Sequence, residues 1–387
     1  MKLEIGSWKL ETRNLKLETG SSELEARNSN ADNQVSSFKF QVSNIAIAIS
    51  GGIDSLVSAY LLKERGYEVI GIHFVTGYES DDSRQIQSVA DQIGIPLKIA
   101  DCSTEFQIKV VDYFTQSYQS GKTPNPCLVC NPSIKFGTIL DFARKLGVSC
   151  LATGHYARII KHDSGRFHLY RGTDPVKEQS YFLAFLSQEQ LASACFPLGN
   201  MTKSEVIKLA EKKGLHPVVK EESQDVCFIK GRTYGDFLVR TQGFEPEPGL
   251  IQDINGNIIG EHKGLHLFTI GQRRGINCPA SEPYYVVRLD MAQNRLVVGL
   301  KKDLFSGECR VAGINWISRK PTDPIKVHTR VRYRHKAARS VLFPVDTHTA
   351  VIRFDEPQSA ITPGQGAVFY KGDEVLGGGW IEKNVRC

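Results

Sequence analysis

The sequence predicts an α/β chain: a parallel sheet with helices on both faces, followed by a small central domain and a C-terminal β-barrel. Three observations carry that expectation. Strand-like and helix-like patterns alternate from residue 45 to about residue 153, and a glycine pair joins the first strand to the first helix. After about residue 231 the helical periodicity gives way to short apolar runs separated by turn residues.

In chain order, Ile45-Ala46-Ile47-Ala48-Ile49 reads as the first strand. A helix over residues 56–65 is stopped by Gly66, a strand follows over 69–74, a second helix over 83–93 is stopped by Gly94, and a strand follows over 97–100. A later helix over 133–146 ends at Gly147 and feeds the apolar run Ser149-Cys150-Leu151-Ala152-Thr153. A sheet of this kind binds ligands at the carboxyl ends of its strands, so residues 50–55 and Gly154-His155 should share one rim. Thr202-Lys203-Ser204-Glu205 opens another amphipathic helix with a capping-box pattern, and Gly214 closes it. Beyond it, Glu247-Pro248-Gly249, Asn255-Gly256-Asn257 and Pro363-Gly364 mark turns between β-rich runs; these fit a barrel, with a sandwich as the alternative. The expected divisions are 1–44, a disordered repeat-like extension; 45–230, a nucleotide-binding catalytic domain; 231–304, a small linking domain; and 305–387, the barrel.

Residues 1–44 repeat one short phrase, as in Lys2-Leu3-Glu4, Lys9-Leu10-Glu11, Lys16-Leu17-Glu18 and Leu24-Glu25-Ala26, with too few large apolar side chains to bury a core. Six basic and six acidic residues cancel there, so the formal net charge of +6 belongs to residues 45–387. The chain has no apolar stretch of about 18 residues and no basic-then-apolar leader, so the cytoplasm is the expected location and a membrane role is excluded. Nine scattered cysteines in 387 residues read as thiols rather than as a disulfide framework.

Ser50-Gly51-Gly52-Ile53-Asp54-Ser55 follows the first strand directly and forms the expected anion site. The two glycines are expected to take positive φ and expose N–H groups, and the following helix adds its N-terminal partial charge. Leu56 and Val57 stand where a G-x-x-x-x-G-K-[ST] loop continues with its lysine, so the transferred group is not the γ-phosphoryl. The motif resembles the pyrophosphate loop of the N-type ATP pyrophosphatases, which split ATP into AMP and pyrophosphate to adenylate a carbonyl oxygen. That resemblance implies ATP with Mg²⁺ as cofactors, and Ile49, Ser50, Gly51, Gly52, Asp54, Ser55, Phe74 and Gly154 as nucleotide-binding residues.

Thr123-Pro124-Asn125-Pro126-Cys127-Leu128-Val129-Cys130-Asn131 is the second feature: two prolines hold the chain extended and present two thiols on an expected rigid loop. For Cys130 three readings stand: a nucleophile or sulfur carrier, part of a metal or iron–sulfur site, or a structural residue. Structural zinc is disfavoured, because neither a second C-x-x-C nor a paired-histidine motif follows at zinc-ribbon spacing. Cys227 lies in Ser223-Gln224-Asp225-Val226-Cys227-Phe228.

The phosphate loop, the Asn-Pro-x-x-x-Cys-Asn segment and the Ser-Gln-Asp-x-Cys-Phe segment, in that order, closely resemble the tRNA-specific 2-thiouridylases. The resemblance runs from about residue 45 to residue 387. It is also carried by Ala152-Thr153-Gly154-His155-Tyr156-Ala157-Arg158, Lys177-Glu178-Gln179-Ser180-Tyr181-Phe182-Leu183, Thr269-Ile270-Gly271-Gln272-Arg273-Arg274-Gly275 and Thr362-Pro363-Gly364-Gln365. It implies replacement by sulfur of the 2-carbonyl oxygen of the wobble uridine in lysine, glutamate and glutamine tRNAs, with sulfur supplied by a cysteine desulfurase or sulfur-relay protein. Adenylation makes AMP the group that sulfur displaces. The resemblance assigns Cys227 as the persulfide carrier and Cys130 as the second catalytic cysteine, able to form a disulfide with Cys227 as the product leaves. Asn125, Pro126, Cys127, His155, Lys177, Gln179, Ser180, Arg332, Tyr333 and Gln365 are the implied substrate contacts.

Three positions depart from the family pattern. Cys127 stands where the family has an aspartate beside the target base, and a thiol with an ordinary pKa near 8.5 is a poor replacement for a carboxylate acid/base. Cys127, Cys130 and Cys227 together are an alternative set of ligands for an iron–sulfur cluster with one open iron. His73-Phe74-Val75-Thr76-Gly77-Tyr78 replaces a Met-Lys or similar pair near the adenine, and Glu178 replaces an aspartate.

Six basic side chains and no acidic one fall within residues 326–339, and Arg330, Arg332, Arg334 and Lys336 recur at every second position. On a strand these would share one face and follow a phosphate backbone. A wobble base lies in a single-stranded loop, so its extrusion into a pocket costs little. Two other functions remain open: a pyrophosphate-loop enzyme adenylating a small molecule, and a non-catalytic tRNA-binding protein using its thiols for a metal.

Overall fold

The computed structural model describes residues 44–79, 83–219, 226–229, 231–279 and 281–382. The repeat-like extension expected over 1–44 lies outside the described residues except for Asn44. The first sheet takes β1 (Asn44–Ala48), β2 (Glu68–Val75), β3 (Leu97–Asp101) and β4 (Leu151–Ala152) and, after a hairpin of β5 (Ala157–Lys161) and β6 (Phe167–Arg171), β7 (Ala194–Cys195). Its order is β3-β2-β1-β4-β7 and every pairing is parallel. Ala46 packs on one side with Ile72, Ala100, Phe106, Phe114 and Ile139. Ile45, Ile47 and Ile49, pointing the other way along the strand, are also fully buried, so both faces of β1 are covered. The helices that stop at Gly66 and Gly94 do so as expected, at Ile53–Glu64 and Ser83–Ile93, with both glycines at positive φ.

The second sheet is small: β8 (Gly249–Asp253), β9 (Ile258–His262), β10 (Tyr285–Asp290) and β11 (Arg295–Gly299), in the order β10-β11-β8-β9. Ile251, Phe268, Val286, Leu296 and Val298 form its core.

The third contains β12 (Phe305–Trp316), β13 (Ile325–Arg330), β14 (Ala338–Pro344), β15 (Ala350–Ser359), β16 (Gly366–Lys371) and β17 (Glu374–Ile381). The order β12-β15-β14-β13-β16-β17 returns on itself through β12–β17 pairing, which closes a six-stranded barrel around Val311, Leu342, Ile352 and Phe369. A barrel, not a sandwich, therefore ends the chain. The hairpin β5–β6 was not legible in the sequence; β6 pairs with β17 at Leu169–Val375 and Tyr170–Glu374, adding two strands from the first half of the chain to the barrel sheet.

One expectation fails here. β13 ends at Arg330, and residues 331–337 turn back toward β14, so Arg330, Arg332, Arg334 and Lys336 do not form a strand face. Arg330 instead ion-pairs with buried Glu178 at 3.0 Å, and Arg332 donates to the Ile270 carbonyl (3.1 Å) and Thr362 Oγ1 (2.6 Å). Both guanidiniums fasten the turn to neighbouring segments, because a part-buried arginine requires partners for the donors it withdraws from water. Arg334, Lys336 and Arg339 remain exposed.

Candidate active site

The phosphate loop sits where β1 gives way to the helix Ile53–Glu64. Ser55 Oγ, drawn back under the turn, accepts from the Ser50 N–H (3.2 Å) and donates to the Gly52 carbonyl (2.9 Å), fixing the loop from within. Only one of its two glycines has the expected positive φ. Gly51 lies at +81°, and a Cβ there would meet Ile86 Cδ1 at 2.8 Å; Gly52 is extended at −82° and serves as the helix N-cap. Ile49 is buried beneath the loop, its carbonyl bonded to His73 Nδ1 at 2.9 Å, and Phe74 is partly buried at the end of β2.

Asp54 is held from two sides. The Tyr156 hydroxyl donates to Oδ1 at 2.7 Å, and Lys203 Nζ spans both carboxylate oxygens at 2.7 and 2.8 Å. Gly154 lies against the loop so closely that a Cβ would come within 2.9 Å of the Asp54 carbonyl carbon and 3.0 Å of the Ser55 nitrogen. The rim shared by residues 50–55 and 154–156 is thus a direct contact.

The two nearby thiols are not on an extended loop. Pro126–Cys130 is already helical and runs into a π-helical stretch, Asn131–Ile139, and then into Leu140–Lys145. Pro126 occupies a position in the first turn where no N–H is needed, with Asn125 extended before it as N-cap, so the residues expected to keep the chain extended start the helix instead. Cys127 and Cys130, three apart, consequently share one face. Pro132 lacks the N–H of a regular turn, and the widened register frees carbonyls that Gln190 Nε2 reaches at Pro132 (2.7 Å) and Phe136 (2.9 Å). Asn131 Nδ2 donates to the Phe182 carbonyl at 3.0 Å.

Cys127 and Cys227 are exposed and Cys130 is half-buried. Desolvation within the cleft pushes Cys130 up to about 12, opposed by the Lys135 ammonium and reinforced by Cys227 and Cys127. Cys127 is pushed up to about 11 by desolvation and then by Cys227, again opposed by Lys135. Water reaches Cys127, so solvent moderates its shift more than that at Cys130. Cys127 and Cys130 thus both feel Lys135, and both feel Cys227. Among the described residues, however, no three His, Cys, Asp or Glu side chains gather as metal ligands.

Cys227 is located by its neighbour. Phe228, 4% exposed, packs edge-on against Phe106 (5.7 Å) and Phe114 (5.3 Å) and tilted against Tyr78 and Phe237. Residues 220–225 of its motif lie outside the described residues.

His155 joins the two halves. It is buried, its Nδ1 lies 2.7 Å from Thr153 Oγ1, and its Nε2 lies 3.4 Å from Lys135 Nζ. Burial, and secondarily Lys135, hold its pKa well below the usual histidine value, so the ring is neutral. Adjacent residues of one turn therefore face opposite ways: Tyr156 to the phosphate loop, His155 to the lysine beside the thiols.

The remaining candidates divide sharply. Ser180 is fully buried, with Oγ 3.4 Å from the Tyr370 hydroxyl, so it packs the interior and is not a surface contact for tRNA. Gln179 exchanges hydrogen bonds with the Tyr156 backbone through its own N–H (3.0 Å) and its Oε1 (3.1 Å). Lys177 is part-exposed, its N–H on Asp174 at 3.1 Å. Tyr333 is part-exposed and packs tilted against Phe182, with ring centres 4.2 Å apart. Gln365 Nε2 donates to the carbonyls of Thr123 (2.9 Å) and Pro124 (3.2 Å), and the Thr123 N–H donates to the Pro363 carbonyl. The barrel loop thus holds the segment leading into the thiol helix, while Thr269 Oγ1 of the central domain meets Thr123 Oγ1 at 3.3 Å.

Sequence reasoning missed Lys135, Lys203 and Phe228. Lys203 had a legible signal: a cation in the first turn opposes the helix dipole and so requires an external reason. Lys135 and Phe228 had none, since one lysine on a helix and one phenylalanine beside a cysteine are ordinary.

Family models match three successive parts of the chain: the tRNA methyl transferase HUP domain over residues 43–231, the tRNA methyl transferase PRC-barrel domain over 235–300 and the aminomethyltransferase beta-barrel domain over 306–381. The chain is 53% identical over 338 residues to the tRNA-specific 2-thiouridylase MnmA of Desulfosudis oleivorans, covering 87% of this chain and 94% of the relative. It is 44% identical to the enzyme of the same name from Geobacter metallireducens, covering 87% and 96%, and 44% identical to MnmA 1 of Caldanaerobacter subterraneus, covering 89% and 99%.

Proposed function

The chain belongs to the tRNA-specific 2-thiouridylase family, and from that membership and its site we propose that it converts the wobble uridine of tRNA to 2-thiouridine by adenylation and sulfur transfer. ATP is used with Mg²⁺ at residues 49–55, bordered by Phe74 and Gly154. The uridine O2 attacks the α-phosphorus, the bond to the bridging oxygen breaks, and pyrophosphate leaves with that electron pair while the base loses its N3 proton. A persulfide on Cys227 supplies the sulfur: Cys130 attacks its inner sulfur, a Cys130–Cys227 disulfide forms, and the released sulfide displaces AMP at C2. The two thiols are restored by an external thiol reductant, and the persulfide by a desulfurase or sulfur-relay protein.

The observation that carries this reading is the turn 154–156, which ties the phosphate loop to the lysine whose charge acts on Cys127 and Cys130. A small-molecule adenylating enzyme would leave that arrangement without a use. Asn125, Pro126 and Cys127 border the base, His155 lines its pocket, and Lys177, Gln179 and Tyr333, all half-exposed, are the contacts we retain for tRNA. We place the activity in the cytoplasm; among the described residues no helix is long and apolar enough to cross a membrane. The functional divisions we adopt are residues 45–230, 231–304 and 305–387.

A second reading comes from Cys127, whose thiol completes a set of three for an iron–sulfur cluster. The thiols do not stand in ligand geometry, so no step is routed through a cluster. Iron content and the visible spectrum of anaerobically purified protein decide between the two.

Mass spectrometry of unmodified tRNA incubated with protein, ATP, Mg²⁺ and sulfide tests the function. Thiolated uridine, with pyrophosphate released only when tRNA is present, is expected; tRNA-independent pyrophosphate release would point to a small-molecule substrate.

A further inference from the structure

Residues 50–55 contain a single charged side chain, and it is the anion Asp54. An aspartate at a phosphate site works against ligand binding unless a cation accompanies it. The structure supplies one from 149 positions away: Lys203 Nζ contacts both oxygens of Asp54.

We propose that Lys203 is the lysine this loop lacks in its own sequence, its ammonium binding the β- and γ-phosphates of ATP after exchanging Asp54 for phosphate oxygens. The inference rests on residues 50–55 being an ATP site and adds the residue that supplies the positive charge there.

Three features of the local structure fit that task. Lys203 is the first residue of the helix Lys203–Lys213, where the dipole disfavours a cation, so the position is not explained by helix stability. Its backbone is fixed, so the base of the side chain is set. The Lys203 N–H donates to Asp174 Oδ2 at 2.8 Å, Asp174 Oδ1 accepts from the N–H groups of Val176 and Lys177, and Thr202 forms a capping box with Glu205. The ion pair also lies at the mouth of the loop, with Asp54 at 32% and Lys203 at 13% side-chain exposure. A lysine has four rotatable side-chain bonds, so its ammonium can pass from one anion to another without its helix moving, and Asp54, once released, is available to the Mg²⁺ that accompanies ATP.

The test compares binding of an α,β-methylene ATP analogue with binding of AMP, which lacks the two outer phosphates, to the full chain. Lys203→Met should weaken the analogue by roughly tenfold to a hundredfold, as loss of a charge-assisted contact does, and leave AMP within about twofold; Lys203→Arg should recover part of the loss. A folded Lys203→Met protein that binds the analogue as the wild type does overturns the proposal. So does an equal loss for AMP and the analogue. Wild-type protein that binds neither nucleotide overturns the ATP reading of the loop and this inference with it. If the variant fails to fold, acetylation of Lys203 in the wild-type protein, followed by peptide mass spectrometry, replaces it. The Mg²⁺ complex of the analogue should slow acetylation and AMP should not; equal rates with both overturn the proposal.

Discussion

The phosphate loop and the thiol cleft are built on opposite plans. The loop is local: Ser50, Gly52 and Ser55 bond to one another within six residues, and the strand before and helix after dictate its path. The cleft is assembled from afar. The segment leading into its helix is held by Gln365 and Pro363 of the barrel and Thr269 of the central domain, the helical run itself by Gln190, and Cys227 is positioned through Phe228 among aromatic side chains from four other segments. The backbone path of the loop is thus set locally, and only its Asp54 side chain is held from afar, by Tyr156 and Lys203. Distributed construction makes the geometry of the sulfur atoms depend on every part of the chain.

The largest effect that would break this contrast is at Cys130. Cys130→Ser should remain folded and bind tRNA while losing at least about a thousandfold in thiolation rate, since an alcohol does not replace a thiolate nucleophile; retained thiolation by mass spectrometry would remove Cys130 from the chemistry. Next, Phe228→Ala removes a nearly buried ring and should cost about 3 kcal/mol in urea unfolding. It should also slow thiolation without changing affinity for ATP, because only the cleft depends on that anchor; equal damage to both functions would dissolve the distinction. Gly154→Ala probes the loop side: the added methyl meets Asp54 and Ser55 backbone atoms, so stability should fall by about 1–3 kcal/mol and nucleotide affinity should weaken, while alkylation of Cys130 stays near its original rate.

The smallest effect is in pH. Cys130, pushed up to about 12 and opposed by Lys135, is mostly protonated at neutral pH. Its alkylation rate should rise about tenfold per pH unit between about pH 7 and 9 without a plateau, and Lys135→Met should lower it further. The sign for stability follows. The folded thiols hold their protons to higher pH than unfolded ones near 8.5, so their contribution is complete below that value and declines as pH rises toward 11–12.

The same contrast explains what the sequence disclosed. Strands, helices and stop residues of the first sheet were legible because alternation and helix-ending glycines are local signals, and so was the phosphate loop. The helical start at Pro126 was misread because proline suits both an extended chain and a first helical turn; Asn125 before it, and not Pro126 itself, was the informative residue. The arginine ladder was misread because alternation at residues 330–336 looks like a strand until Arg330 finds Glu178 and Arg332 finds Thr362. The burial of Ser180 is hidden for a similar reason: a hydroxyl does not reveal in sequence whether water or Tyr370 will satisfy it. Lys203 carried a local signal, a cation in a first helical turn, but its partner Asp54 stands 149 positions away and no local pattern names it.

The hairpin that leaves the first sheet to lie along β17 has a practical consequence. A fragment ending near residue 304 would retain β5 and β6 but strip away their neighbour, leaving β6 as a bare template for a second molecule's strand. Such a piece should self-associate on expression, so selection acting on the front of the chain cannot easily discard its tail.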